Sequence, residues 1–293
     1  MSIKIYADAG SNLIPSFLKK LNKEIKVVSM QLTIDDTVYR CYDDDIDVEQ
    51  FSKNFYQMMR EDRNIYTSQV NPDDFIQAFK EDVDAGHQII CFTLAKGISG
   101  TYNSACIARD MINEEHGKEI VYVVDAATAG FGEGLQAIHA ADLVEKGWDF
   151  KAIVEEAETF KFKVRSEFTV GDIKYLIKKG RVSSLVAKFI NLIKIKFLLK
   201  GSLDSKIEVS GKVFGRKIAL RRLADTCIEK IKNPDEQTVL ISHCDAEEEA
   251  IGLKNYLNEK GIKNVDIHFY DLITGAHIGP DTIAIFYVGE NRN

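Results

Sequence analysis

Two short apolar runs, residues 88–94 and 119–125, constrain this chain most, because they show almost no polar alternation and flank a helical stretch over 102–113. A strand that is apolar on both sides must be covered on both faces, and a helix-length connection places two such strands side by side in parallel. The pattern predicts a parallel α/β sheet. Hydrophobic periodicity extends it with a strand over 3–7, a helix over 14–21 and a single strand over 25–34. Ser11 or Asn12 stands near the start of that first helix, with Pro15 in its first turn. Asp35-Asp36 then turns the chain into 38–41. Amphipathic helices are expected over 48–60 and 72–83, and further helices over 135–146 and 150–160.

After Lys161 the pattern changes. It reads as a strand over 162–170, a helix over 172–179, a basic amphipathic helix over 185–196 and two short β segments around 201–202 and 210–211. A helix over 216–231, a strand over 238–243, a helix over 247–260 and strands over 265–270 and 282–288 follow. Two domains are expected, residues 1–160 and 161–293.

With 45% hydrophobic and 28% charged residues in 293, the composition is that of a folded globular protein and excludes disorder. The most apolar stretch, 186–199, is interrupted by Lys188, Lys194 and Lys196, so no stable membrane insertion is expected. The N-terminus lacks the pattern of a secretory signal, which makes the cytoplasm the expected compartment. Five cysteines are scattered without a C-x-x-C pair and six histidines show no metal-binding spacing. No metal, cofactor or disulfide is expected.

Charge is unevenly distributed. Residues 161–222 carry 17 Lys and Arg against four Asp and Glu, a balance of +13 in a chain of net charge −7, so the remainder carries −20. A basic surface facing an acidic partner, a membrane or nucleic acid is one reading, and a solvated face is the other. The segment's aromatics (Phe162, Phe168, Tyr175, Phe189, Phe197, Phe214) all read as core, so nucleic acid is not expected.

In open parallel sheets ligands bind beyond the carboxyl ends of the strands. Three loops there are unusual. Tyr66-Thr67-Ser68-Gln69 precedes a helix, where Thr67 and Ser68 can hold an anion or simply cap the helix. Gly97-Ile98-Ser99-Gly100-Thr101 places glycines around a serine at a strand-to-helix turn, where backbone can approach a ligand closely. Its match to a nucleophile elbow is incomplete, because Thr101 stands where the last glycine belongs. Thr274-Gly275-Ala276-His277-Ile278-Gly279-Pro280 carries His277, which reads equally as a general base, a hydrogen-bond donor or a turn residue.

The chain resembles the DegV family of fatty-acid-binding proteins. The resemblance rests on an ordered set spanning nearly the whole sequence: Asp8 with Ser11, Thr67-Ser68-Gln69, Gly97 through Ala105, Asp172 through Ser183, and His277-Ile278-Gly279-Pro280. Ser-Gly-Thr-Tyr-x-Ser-Ala and Lys-Gly-Arg-Val-Ser are its most specific members.

The resemblance implies a two-domain α/β fold with a parallel-sheet N-terminal domain and a mixed α/β C-terminal domain. It implies a bacterial carrier, monomeric and without catalytic residues, that encloses one long-chain fatty acid. The carboxylate would sit at the domain interface and the acyl chain in an apolar tunnel. A separate fatty acid kinase would phosphorylate that carboxylate for phospholipid synthesis. By position, Thr67 and Ser99 correspond to the carboxylate-binding groups, with Ser68, Arg181 and His277 beside them. The rival reading is an enzyme, a serine hydrolase or small-molecule phosphotransferase using Ser99 and His277. Departures from the family pattern include Val70, Ala95-Lys96, Lys179, Phe197 and Asp281, the last where the family often has glycine.

Overall fold

The computed structural model describes residues 2–42, 48–182 and 194–292. In the first half, strands β1 (Ile3–Asp8), β2 (Ile25–Val28), β6 (Gln88–Thr93) and β7 (Val121–Asp125) form one sheet in the order β2-β1-β6-β7. Every pairing in it is parallel. The two apolar runs are its buried strands β6 and β7, joined by helix α4 (Thr101–His116). Isolation from water on both faces explains their unbroken apolar sequence.

The expected single strand over 25–34 is two strands in different sheets. Beyond β2 the chain bends at Ser29, whose hydroxyl donates to the Cys41 carbonyl at 2.5 Å. It resumes as β3 (Gln31–Ile34), paired antiparallel with β4 (Thr37–Arg40) and β5 (Ile65–Ser68). No glycine or proline marks this break, so periodicity could not show it. Strand β5 itself occupies most of a segment expected as a loop.

Helix α1 (Pro15–Leu21) begins on proline without a side-chain cap. Helices α2 (Val48–Arg60) and α6 (Phe150–Phe160) match their expected bounds, and α3 (Pro72–Asp84) runs one residue longer. Helix α5 (Phe131–Glu145) begins four residues before the expected start. It lies between the two main sheets, against β1 and β6 on one side and β8 (Val164–Thr169) and β13 (Ile283–Val288) on the other. Phe131 is fully buried and meets Phe286 edge-on at 6.1 Å between ring centres. Burial of one such phenylalanine contributes roughly 1.5 to 3 kcal/mol. One apolar core thereby includes residues of both sheets.

The second sheet runs β10-β9-β8-β13-β11-β12, with β9 (Ile195–Gly201), β10 (Ile207–Phe214), β11 (Val239–His243) and β12 (Val265–Phe269). Only the β11–β12 pairing in it is parallel. The two short β segments expected around 201 and 210 are one long hairpin, β9–β10. Most of the expected basic helix over 185–196, with Lys188, lies outside the described residues, and its end at 195–196 belongs to strand β9. Helices α7 (Lys174–Lys178), α8 (Arg216–Lys230), α9 (Glu247–Glu259) and α10 (Leu272–Ile278) complete the description. Phe214, expected in the core, is 72% exposed because β10 is the open edge of its sheet. No helix among the described residues is long and apolar enough to cross a membrane.

Candidate functional site

A cavity of about 220 Å³ opens beyond the carboxyl ends of β6 and β7, between the two main sheets. Ordered water takes about 30 Å³ per molecule, so the space exceeds what bridging water needs. Thr67, Ser68, Ser99, Arg181 and His277, all expected from sequence, line it together. Met30, Leu94, Ile98, Phe168, Leu176 and Ile273 form an apolar wall.

Each polar group is delivered by a different local device. Strand alternation turns Ile65 and Thr67 inward and leaves Tyr66 and Ser68 exposed, so Ser68 only borders the cavity. Neither residue caps α3, whose N-cap is Asn71, with its backbone N–H on the Asp74 carboxylate at 3.4 Å. The cap alternative for Thr67 and Ser68 is therefore wrong.

Ser99 precedes α4, and its oxygen accepts the Thr101 backbone N–H at 3.2 Å and lies 3.0 Å from the Thr101 hydroxyl. When the Thr101 hydroxyl donates to it, the Ser99 proton is free to point into the cavity. The glycines of this loop serve close packing of protein against protein. A Cβ at Gly97 would overlap the Ser205 carbonyl, and one at Gly100 the Gln69 amide.

Arg181 is placed by the end of α7. Gly180 adopts φ +68, its N–H donates to Ile177 and that of Arg181 to Leu176, a left-handed helix termination that turns the chain back toward the cavity. The Arg181 guanidinium then donates to the Lys179 carbonyl at 2.8 Å. Lys179 is half-buried, with its ammonium on the Ile65 carbonyl at 2.8 Å and 5.3 Å from the Tyr66 ring centre. Burial, then Lys178 and Arg181, lower its pKa.

His277 lies in helix α10, not in the loop expected there. Gly275 gave that segment a loop-like sequence, yet its missing side chain is what admits the Tyr56 hydroxyl. Asp271 caps the helix by accepting the Thr274 N–H at 2.6 Å, the one sequence signal that marks it. His277 Nε2 lies 2.8 Å from the Thr67 hydroxyl, while Nδ1 is buried without a partner. Burial, reinforced by Arg181 and Lys179, depresses the imidazole pKa to about 4, so the ring is neutral at pH 7. A proton on Nε2 leaves only an acceptor unpaired at Nδ1, which costs less than an orphaned N–H. In that tautomer His277 donates to Thr67, and the Thr67 hydroxyl is free to donate onward.

Ser99 and His277 share the cavity but no hydrogen bond, and among the described residues no carboxylate orients the imidazole. Sequence reasoning missed Thr128, Ser166 and Lys206 in the lining, because single polar residues in strands and turns carry no spacing signal. Asp8, from the N-terminal motif, is fully buried behind the cavity and accepts the Gly10 N–H at 2.7 Å and the Leu94 N–H at 2.9 Å. Burial raises it and Asp271 to about 7 each. Of the departures from the family pattern, Asp281 has φ +59, the left-handed region that favours glycine, and is held by Arg60 at 2.8 Å. Lys96 sits 3.6 Å from Asp125. Among the described residues no group of three or more His, Cys, Asp and Glu could hold a metal ion.

A family model described as "Uncharacterised protein, DegV family" matches residues 2–290. The chain belongs to the DegV family. A DegV domain-containing protein of Clostridium perfringens is 34% identical over 289 residues, 98% of both chains. Among solved structures, a fatty-acid-binding DegV family protein of Thermus thermophilus matches with a TM-score of 0.84 at 21% identity, over 99% of this chain and 100% of that one. The B3 protein of Streptococcus pneumoniae fatty acid kinase, loaded with linoleic acid, matches with a TM-score of 0.81 at 20% identity, over 99% and 100%. At these identities the two structures establish the DegV fold for this chain.

Proposed function

We propose that this DegV family member binds one long-chain fatty acid and presents its carboxylate to a fatty acid kinase, as a carrier without turnover of its own. The observation that carries this reading is a cavity that brings hydroxyls, an arginine and a neutral histidine together with an apolar surface of Met30, Leu94, Ile98, Phe168, Leu176 and Ile273. Among the described residues no Asp or Glu lines it. A buried carboxylate must be compensated by donors and a nearby cation, and Thr67, Ser99 and Arg181 supply both. Each methylene withdrawn from water contributes about 0.8 kcal/mol, less the cost of immobilising the chain. The fatty acids held by the Thermus and Streptococcus proteins support the same ligand class here.

The kinase would approach from the basic side. Lys178, Lys194, Lys217, Arg221 and Arg222 are exposed and suit an acidic partner. Arg216 does not belong to that exposed set, since its guanidinium is held by Glu249 at 2.7 Å and donates to the Asp281 carbonyl at 2.5 Å. The hydrolase alternative finds less support, because His277 Nε2 is engaged by Thr67, makes no hydrogen bond to Ser99, and belongs to an imidazole that burial leaves a weak base. Native mass spectrometry of freshly purified protein, followed by denaturing lipid extraction, tests the reading. One fatty acid per chain is expected. No stoichiometric lipid, together with no rise in melting temperature on adding oleate or palmitate, overturns it.

A further inference from the structure

The cavity has walls from both main sheets, and one buried side chain joins them. Asp125, at the carboxyl end of β7 and 6% exposed, uses both carboxylate oxygens. Its Oδ1 accepts the backbone N–H of Lys96 at 3.2 Å and that of Ala127 at 3.0 Å. These residues flank the first wall, which presents Ala95, Ile98, Ser99 and Ala127 to the cavity. Its Oδ2 accepts the Ser205 hydroxyl at 2.6 Å.

Ser205 belongs to the β9–β10 turn of the other sheet, which is closed by Ser202 N–H on the Lys206 carbonyl at 2.8 Å and Lys206 N–H on the Ser202 hydroxyl at 3.1 Å. From that turn Gly201, Lys206 and Ile207 face the same cavity. Although it sits in a hairpin turn, Ser205 is only 2% exposed, and its carbonyl lies flat against Gly97. Ala127, at φ +55, is fixed from its other side as well, since Arg292 donates to its carbonyl at 2.9 Å.

We propose that Asp125 is a positioning residue for the ligand site, clamping the Ser99 loop to the β9–β10 turn through Ser205 so that the two walls hold a fixed spacing around the ligand. The carboxylate touches no ligand. It acts through the backbone of Lys96 and Ala127 on one side and the Ser205 hydroxyl on the other. The consequence for binding rests on the fatty-acid reading above, whereas the clamp itself does not. Loosened walls release a bound chain faster without impeding its entry, so the clamp governs dissociation.

Ser205→Gly separates this role from general stability. Ser205 holds φ +58, where glycine is at ease, so the variant removes the hydroxyl while relieving backbone strain, and its Tm should stay within about 3 °C of wild type. Amide exchange at Lys96 and Ala127, across the sheet boundary, is measured on ligand-free protein, and oleate association and dissociation by stopped flow. In both Ser205→Gly and Asp125→Asn, exchange and oleate dissociation should each rise about tenfold, the effect of losing a hydrogen bond to a carboxylate, with association unchanged. The double variant should release oleate no faster than either single one. Unchanged protection at Lys96 and Ala127 in Ser205→Gly overturns the clamp. Should wild type retain no oleate, the fatty-acid reading falls and the exchange measurement still decides the clamp.

Discussion

Replacing Thr67 by valine removes one hydroxyl at nearly constant volume, and the site makes the result separable into two parts. In the free protein that hydroxyl is the partner of His277 Nε2, and Nδ1 has none. Thr67→Val therefore leaves both ring nitrogens of a buried histidine unpaired, a cost of about 1 to 3 kcal/mol in folding stability. In the complex it also withdraws one donor from the carboxylate, worth a further 1 to 3 kcal/mol, or roughly 5- to 150-fold in Kd. Urea unfolding of the free protein measures the first, and oleate titration by calorimetry the second. Thr67→Ser keeps the oxygen, so it should recover most of both losses. Because Thr67 faces inward on β5 beside Ile65, neither replacement disturbs the exposed side of the strand. Oleate binding by Thr67→Val as tight as wild type would refute the head-group assignment, even if the stability loss appeared as expected.

Ser99→Ala should weaken oleate binding by a similar 1 to 3 kcal/mol, and it should also lower Tm slightly, because the hydroxyl accepts the Thr101 N–H at the start of α4. For His277 the folded pKa of about 4 lies below the ordinary 6.5, so its contribution to stability is present above pH 6.5 and is lost as pH falls toward 4. That loss is about 3 kcal/mol. His277→Gln should accordingly show a smaller stability loss than wild type between pH 7 and pH 5 in urea unfolding, and an identical loss would contradict the neutral imidazole. Asp271 has the opposite sign: with its pKa raised from 3.8 to about 7, its contribution is greatest in acid and is lost as pH rises through 7. Asp271→Asn should flatten that decline between pH 5 and pH 8, and an unaltered slope would show that the carboxyl is ionised throughout. Charge reversal at Lys217, Arg221 and Arg222 should slow phosphorylation of bound fatty acid by the kinase, most strongly at low salt, with oleate affinity unchanged. Equal rates at every salt concentration would remove this surface from the mechanism.

The sequence by itself determined the parallel sheet. Strands buried on both faces need unbroken apolar runs, and β6 and β7 have them, so their identity and their parallel pairing were legible from residues 88–94 and 119–125. Local chemistry likewise marked the helix bounds at Pro72 and Phe150, and the Gly180 turn lay within the Lys-Gly-Arg motif that carried the family resemblance. Only tertiary structure divided residues 25–34 between two sheets, since that bend is stabilised by Cys41, twelve residues away, and not by any residue within it. The same holds for α10, whose Gly275 reads as a loop until Tyr56 is seen packed against it. The site divides along this line too. Thr67, Ser99 and His277 were visible as unusual residues in strand-end loops, because polar and glycine-rich composition is a local property, whereas Arg181 entered only through the family resemblance. Their convergence was implied by the resemblance alone and not by composition or spacing, because Thr67 and His277 lie 210 positions apart and meet only where β5 packs against α10. Asp125 carried no signal at all: an aspartate at the end of a strand is ordinary, and its role depends on a serine 80 positions away in the other sheet.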